Sequence, residues 1–470
     1  MTNWLPDLSE GVGPLYQRLA DRIESDIDAG AIPAGSKLPP QRDLAYDIGT
    51  TVGTVGRAYA LLRERGLVSG EVGRGTYVLA ASEKAKALTN ANPQQSGTRP
   101  LDAPAGKLRF DTTVAPDVGQ GSIIAGLLAE IAQRQPLDVS SYTHATPDDW
   151  FTAGSVWLER NGFRPQPDTI VPTQGTHAGA VASIVALTNP GDYVAFEPVT
   201  YSQVARSTAL AGRRIALVNM DDEGLDPDHF DHVCAQKHPA MMFLMPAAHN
   251  PTCVRMSGER RERIAELARK HNVILIEDDL YGRLSGDTTP LLAEYAPERT
   301  IVASGLSKSV AAGVRGGWLS CPPAYRHRIR VAHRLLSGGS PFILPALAAH
   351  LVHSGEAHGI EARSIAEIRK RVELVRTALA GHSFNSQDNL PFIWLSLPEA
   401  WNSGTFKNAA FERGILLDDE DEFKAGRCEQ VFHRVRLSIS QPSAQADVSR
   451  GLAAIRQLLE EGRAGYERFD

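Results

Sequence analysis

The segment SGLSKSVAAGVRGGW, residues 304–318, sets Lys308 between two serines and places Arg315 seven residues further on. A lysine amine can condense with an aldehyde to a Schiff base. A guanidinium followed by Gly316 and Gly317 can grip a phosphate with its fork of donors. A second phosphate contact is available in TQGTHAG, residues 173–179, where Gly175, Thr176 and His177 follow a strand end and open a helix. The first N–H groups of a helix face outward to anions, and the Thr176 hydroxyl adds a donor. The strand VILIEDD carries Asp278, three residues before Tyr281. A carboxylate there can hold a protonated ring nitrogen, and the tyrosine can donate to a ring oxygen. Asn250 in HNPT is another such donor, and Tyr201 in EPVTY offers an aromatic face for stacking. Singly, these residues read as a surface lysine, a capped helix and an Asn-Pro turn. Each could equally serve a pyridoxal phosphate anchored on Lys308. The adjacent carboxylates of VILIEDD have no histidine near them in sequence, so no metal site is expected.

These residues need a scaffold that brings strand ends together. Short apolar runs (GDYVAFEP, AMMFLMP, VILIEDD, TIVASG, GGWLSC) alternate with helical stretches such as SGERRERIAELARKHN, capped by Ser257. Alternation of this kind predicts a mostly parallel α/β sheet with crossover helices, whose ligands lie at the carboxyl ends of the strands. From about residue 360 a long charged helix is followed by PFIWLSL, GILLDD and HRVRLSIS and a last helix, the pattern of a smaller α+β subdomain.

The first 80 residues have a different rhythm. Leu15, Leu19, Ile23 and Ile27 recur every four residues between Pro14 and Gly30, one apolar stripe on a helix. A short helix QRDLAYDIG turns Leu44, Ala45 and Ile48 inward. A third helix is capped by Thr51 and buries Val55, Tyr59 and Leu62. LVSGEVGRGTYVLA reads as two strands about a Gly-rich tip, which completes a winged helix-turn-helix. Lys37, Arg42, Thr51, Thr54 and Arg57 can reach bases or phosphates of double-stranded DNA, and Gly73, Arg74 and Gly75 form a wing tip for a minor groove. The first helix is acidic (Asp21, Glu24, Asp26, Asp28), so the basic residues, Arg63 and Arg65 among them, have to share the opposite face. Residues 81–106 lose all periodicity and read as a linker between a domain at 1–80 and one at 107–470.

The chain has 470 residues, too many for one core, with 42% hydrophobic and 22% charged residues. No apolar run reaches the ~20 residues of a membrane span, and MTNWLPDLSE lacks the layout of a signal peptide, so a cytoplasmic location is expected. Four scattered cysteines without a C-x-x-C pair argue against a zinc cluster or a disulfide framework.

The run from LYQRLADRI through AIPAGSKLPPQRDLA and TVGRAYALLRERGLV to GRGTYV resembles the winged helix of the GntR family of bacterial regulators, across residues 14–79. Val52 departs from it, standing where an arginine is common. The ordered set Gly175, Thr176, His177, Tyr201, Asn250, Asp278, Tyr281, Lys308 and Arg315 resembles fold-type I pyridoxal phosphate enzymes of the aspartate aminotransferase class, across about residues 107–470. That likeness implies that Arg436 in VRLSIS grips the carboxylate of an amino acid. It also implies that Tyr142 in SSYTHATP reaches the phosphate of a neighbouring subunit. Gly305 departs from it, because a Ser or Thr phosphate ligand is common three residues before the lysine; Ser304 or Ser307 would have to substitute. Together the two parts resemble the MocR subfamily of transcription regulators. The resemblance implies a domain-swapped, head-to-tail homodimer that senses an amino compound, or pyridoxal phosphate itself, without sustained turnover. The other reading is a working aminotransferase with a DNA-binding head.

Overall fold

The computed structural model describes residues 4–6, 8, 13–33, 36–65, 67–71, 75–79, 97–99, 104–399 and 401–461. They form two compact units that divide between Ser96 and Gly97.

The first unit is built on three helices, α1 (Leu15–Asp28), α2 (Gln41–Asp47) and α3 (Val52–Glu64). The predicted stripe on α1 buries Leu19, Ile23 and Ile27, but Leu15 at its head is 36% exposed. Thr51 caps α3: its Oγ1 accepts the Thr54 N–H at 3.2 Å, satisfying a donor that the helix start leaves open. Two strands, β1 (Val68–Glu71) and β2 (Gly75–Val78), pair antiparallel with Val68 opposite Val78. The stretch before α2 joins this ribbon, Leu38 N–H donating to Thr76 O at 2.8 Å. Leu19, Ile23, Leu44, Val55, Tyr59, Leu62 and Val78 close one core, which makes the unit a winged helix-turn-helix. Ile48, expected inside, is only half-buried at the end of α2. Gly73 and Arg74 of the expected wing tip lie outside the described residues, as does most of the expected linker.

The second unit has a seven-stranded sheet at its centre. Its strands, in chain order, are β3 (Ile170–Thr173), β4 (Tyr193–Phe196), β5 (Arg214–Leu217), β6 (Met241–Leu244), β7 (Ile274–Asp278), β8 (Thr300–Gly305) and β9 (Gly317–Ser320). Their order across the sheet is β3-β9-β8-β7-β6-β4-β5, and every pairing is parallel except the two made by β9. Because β9 runs against β3 and β8, its first residue lies at the edge where the other strands end. Every residue of β6 and β8 is buried, which is why β6 reads as an unbroken apolar run and β8 as one interrupted only by Thr300 and Ser304. Ser257 caps the crossover helix α4 (Gly258–Lys270), accepting from Arg260 N–H.

The smaller subdomain carries an antiparallel sheet of β10 (Phe384–Asn385), β11 (Phe392–Ser396), β12 (Asp418–Asp419) and β13 (Arg434–Ser438), in the order β10-β11-β13-β12. It also recruits the start of the unit. Leu108–Arg109 pairs in parallel with Ile415–Leu416, and Ser438 N–H donates to Phe110 O at 2.7 Å. Residues 97–99, assigned above to the linker, are likewise part of this unit, held through hydrogen bonds to residues 418–422. Among the described residues no helix is long and apolar enough to cross a membrane.

Candidate functional site

The carboxyl ends of β3, β4, β6, β7 and β8 meet at one edge of the sheet, and a cavity of about 230 Å³ opens there. Gly175, Thr176, His177, Tyr201, Asn250, Asp278, Tyr281, Ser307, Lys308, Arg315 and Arg436 all line it. Tyr142 does not: it is 86% exposed on a separate surface.

Lys308 follows β8 and is half-buried, its Nζ donating to Thr113 O at 2.7 Å. Burial, together with the nearby Arg436 and Arg99 charges, holds its amine down to about 7, so a large share is uncharged at neutral pH. Asp278, at the end of β7, is 5% exposed, and the Leu280 N–H at 3.1 Å is the hydrogen bond it receives. Burial pushes its carboxyl up to about 7. A buried carboxylate so weakly compensated stands ready for a cationic N–H partner. Tyr281 is buried, and its hydroxyl shares a 2.8 Å hydrogen bond with Thr113 Oγ1; burial pushes it up to about 12. Tyr201 meets His177 edge to face, ring centres 5.9 Å apart. Burial and then the Arg315 charge lower the pKa of His177, and its Nδ1 has no partner.

At the other end of the cavity, helix α5 (Thr176–Leu187) begins behind Gly175 with no side chain capping it. Gly175 has φ 94 and Arg315 has φ 51, and the Arg315 guanidinium carbon would lie 3.8 Å from a Cβ at Gly175. The two segments approach so closely that a Cβ on Gly317 would sit 2.7 Å from Gly175 Cα. A guanidinium and an uncapped helix N-terminus thus converge on one spot, a strong anion site. The departure at Gly305 has a packing cause: a Cβ there would meet Gly316 O at 2.6 Å. Ser304 cannot stand in for it, since its hydroxyl is buried and donates to Asp279 O, whereas Ser307 lines the cavity.

Arg436, on β13, is 3% exposed and deeply engaged. It donates to Asn250 Oδ1 at 2.9 Å, and to Asp418 Oδ2 and Asp111 O at 2.6 Å each. The pattern reading missed Arg99, Thr113 and Glu422, which also line the cavity. The acidic run DDEDE at 418–422 was the only local signal; Arg99 in a Pro-rich stretch and Thr113 after a two-residue strand gave none.

In the first unit, Lys37, Arg42, Thr51 and Arg57 are exposed, Thr54 is half-buried, and Gly75 sits in β2. Arg65, counted with the basic face, is instead tied to α1 through Asp21 at 2.7 Å and Glu24. Val52 is 45% exposed at the start of α3.

An amine held partly neutral, a buried carboxylate awaiting a cation and an anion cradle, spaced about one small cavity, fit pyridoxal phosphate: Lys308 for its aldehyde, Asp278 for its ring nitrogen, Arg315 with α5 for its phosphate. The larger unit has the fold of the pyridoxal phosphate-dependent transferases. An archaeal alanine:glyoxylate aminotransferase superposes with a TM-score of 0.68 at 23% identity, covering 78% of this chain and 93% of that one. The family model for aminotransferase class I and II matches residues 153–444, and the chain belongs to that family. Its first unit matches the model for bacterial regulatory proteins, gntR family, over residues 15–78, which gives the whole a MocR-like architecture. Two similar proteins are named as transcription regulators. The uncharacterized HTH-type transcriptional regulator YdeF of Bacillus subtilis (strain 168) is 28% identical over 98% of this chain and 97% of its own length. The vitamin B6 salvage pathway transcriptional repressor PtsJ of Salmonella typhimurium (strain LT2) is 26% identical over 70% and 72%.

Proposed function

We propose that the protein is a DNA-binding transcription regulator whose larger unit holds pyridoxal phosphate covalently through Lys308 and reads the presence of an amino compound. The observation that carries this reading is the joining, in one chain, of a winged helix with exposed Arg42 and Arg57 to a cavity lined by Lys308, Asp278 and Arg315. When bound, pyridoxal phosphate supplies an aldehyde that condenses with amines and a ring that draws electrons from the bonds formed there. Lys308, uncharged in large part at neutral pH, is the nucleophile for anchoring. Asp278 would hold a protonated ring nitrogen, Tyr281 and Asn250 would donate to a ring oxygen, and Tyr201 would offer its face to the ring. Arg315, Thr176, Ser307 and the start of α5 take the phosphate. Arg436 takes a carboxylate of the amino compound.

Sensing accounts for the fused winged helix, which a metabolic enzyme does not need, and the regulator relatives support it. A working aminotransferase is the second reading, favoured by the retention of Lys308, Asp278 and Arg436 in one cavity. The protein acts where operator DNA is, in the cytoplasm, as a head-to-tail dimer. Support for the dimer comes from the exposed Tyr142 and Val331: a groove of about 860 Å³ runs from Thr143, next to Tyr142, to Val331 on the helix Pro323–Leu336.

The test is direct. Loading with pyridoxal phosphate gives a visible absorption band, which Lys308→Ala abolishes. A panel of amino compounds then shifts the band and the mobility of an operator fragment together, with no steady release of keto acid. Multiple-turnover keto acid production overturns sensing in favour of the enzyme reading, and a colourless loaded protein overturns both.

A further inference from the structure

The stretch Gly97–Arg99 opens the larger unit, and Arg99 forms part of the cavity wall. It is built in rather than laid on. Gly97 has φ 73, and any side chain there would collide with the Arg206 guanidinium and the Glu422 carboxylate. The Thr98 and Arg99 amides both donate to Glu422 Oε2, at 2.7 and 3.1 Å, while Glu422 Oε1 accepts from Arg206 at 3.0 Å. The Thr98 hydroxyl donates to Asp419. Arg99 then forks onto Asp418, Nε to Oδ1 at 3.1 Å and Nη2 to Oδ2 at 2.6 Å, and Nη2 also reaches Asp111 O at 2.8 Å.

Arg436 uses the same two acceptors, Asp418 Oδ2 and Asp111 O. Two guanidiniums therefore share one fully buried carboxylate. Beside them, Arg206 pairs with Glu422, and Arg109 pairs with Asp111, whose second oxygen lies 3.9 Å from Arg99. With residues 97–99 in place, the Arg99–Asp418–Arg436 group keeps one positive charge unspent. Without them, Asp418 and Arg436 match one to one, and this wall of the cavity has no spare positive charge beside Arg436.

We infer that Arg99 is a ligand-specificity residue of the cavity, and that the docking of residues 97–99 and the binding of a carboxylate beside Arg436 strengthen each other. This rests on the reading of the cavity as a ligand site, and it narrows the ligand class to amino compounds that carry a carboxylate. Coupling between two binding events is reciprocal: if docked Arg99 raises carboxylate affinity, a bound carboxylate holds the stretch down by the same factor.

The experiment uses the full-length chain loaded with pyridoxal phosphate, and maleate as a carboxylate that carries no amine. Hydrogen exchange is followed at the Thr98 and Arg99 amides and, as an occupancy reporter, at residues 434–438. Maleate is expected to slow exchange at residues 97–99 by roughly tenfold, within the usual range of coupling between sites. Arg99→Gln, with its fold checked by circular dichroism, is expected to bind maleate about tenfold more weakly and to lose the slowing. Protection at 434–438 with unchanged or faster exchange at 97–99 overturns the inference. So does a wild-type protein that fails to bind maleate, since the cavity would then hold no unspent charge. The wild-type comparison stands even where the variant misfolds. Failure of the cofactor reading shows separately, as an absent visible band.

Discussion

Replacing Asp278 with Asn should make the cofactor-free protein more stable, and more so as the pH rises. The carboxyl is buried at the end of β7 and pushed from its ordinary value near 3.8 up to about 7. Between those values the folded chain holds a proton that the unfolded chain has released, so stability falls as pH rises through that window. Full ionisation in the folded state then costs at most about 4 kcal/mol, and roughly 2 kcal/mol is the size to look for once water and side-chain relaxation soften the site. Lys308 reinforces the sign. The Asp278 charge supports its ammonium form, so the variant pulls the amine lower still and loses ground on the acid side. The assay is thermal unfolding at pH 5 and pH 8, followed by tryptophan fluorescence, to which the larger unit contributes Trp150, Trp157, Trp318, Trp394 and Trp401. Asp278→Asn should gain a few degrees over wild type at pH 8 and less than half as much at pH 5. With pyridoxal phosphate added the order should reverse, because a charge-assisted hydrogen bond of about 1.5–3 kcal/mol is lost, weakening binding some 10- to 100-fold. A variant that melts no higher than wild type at pH 8, or a difference that ignores pH, would refute the reasoning.

Other perturbations separate the roles of the two units. Arg57→Ala should weaken operator binding at least tenfold and lower the salt slope by about one, with an unchanged melting curve, because Arg57 is exposed on α3; unchanged binding in a mobility-shift titration counts against its DNA contact. Arg65→Ala should leave operator binding alone and cost at most about 1 kcal/mol, since its partners are Asp21 and Glu24. Gly305→Ser should destabilise the larger unit by about 1–3 kcal/mol without tightening the cofactor, because Gly316 O occupies the space that a Cβ needs; a more stable variant in urea unfolding would contradict that packing.

The parts legible in the sequence were those written locally. Strand ends and helix starts announce themselves in a few residues, so Asp278, Lys308 and the Gly175–Thr176 turn could be named before their meeting place was known. The helices of the winged unit were readable for the same reason, their apolar stripes being repeated every turn. What stayed hidden was non-local. Leu108–Arg109 is too short to signal a strand, and its partner Ile415–Leu416 lies some 300 residues away. Gly305 looked like a missing ligand, and only the approach of Gly316 shows why no side chain stands there. Arg65 looked like one more DNA-facing base, because ion pairing to Asp21 and Glu24 depends on how α1 and α3 cross. Arg99 carried no pattern at all; its meaning comes from Asp418, on the far side of the sequence.

The pairing of residues 108–110 with 415–416 and 438 also sets a timetable for synthesis. Emerging from the ribosome at ≈ 5–20 residues per second, the winged helix has all its partners once β2 is made, and its local contacts let it fold at once. The larger unit cannot close until β13 appears near the end of the chain, since the first and last strands of its smaller subdomain bracket everything between. For tens of seconds a finished DNA-binding head therefore precedes an unfinished ligand pocket on the same nascent chain. Conditions that slow elongation lengthen the time that β6 and β8, buried along their whole length in the finished fold, stand uncovered. Aggregation during expression should follow from that interval, even where the mature protein is stable.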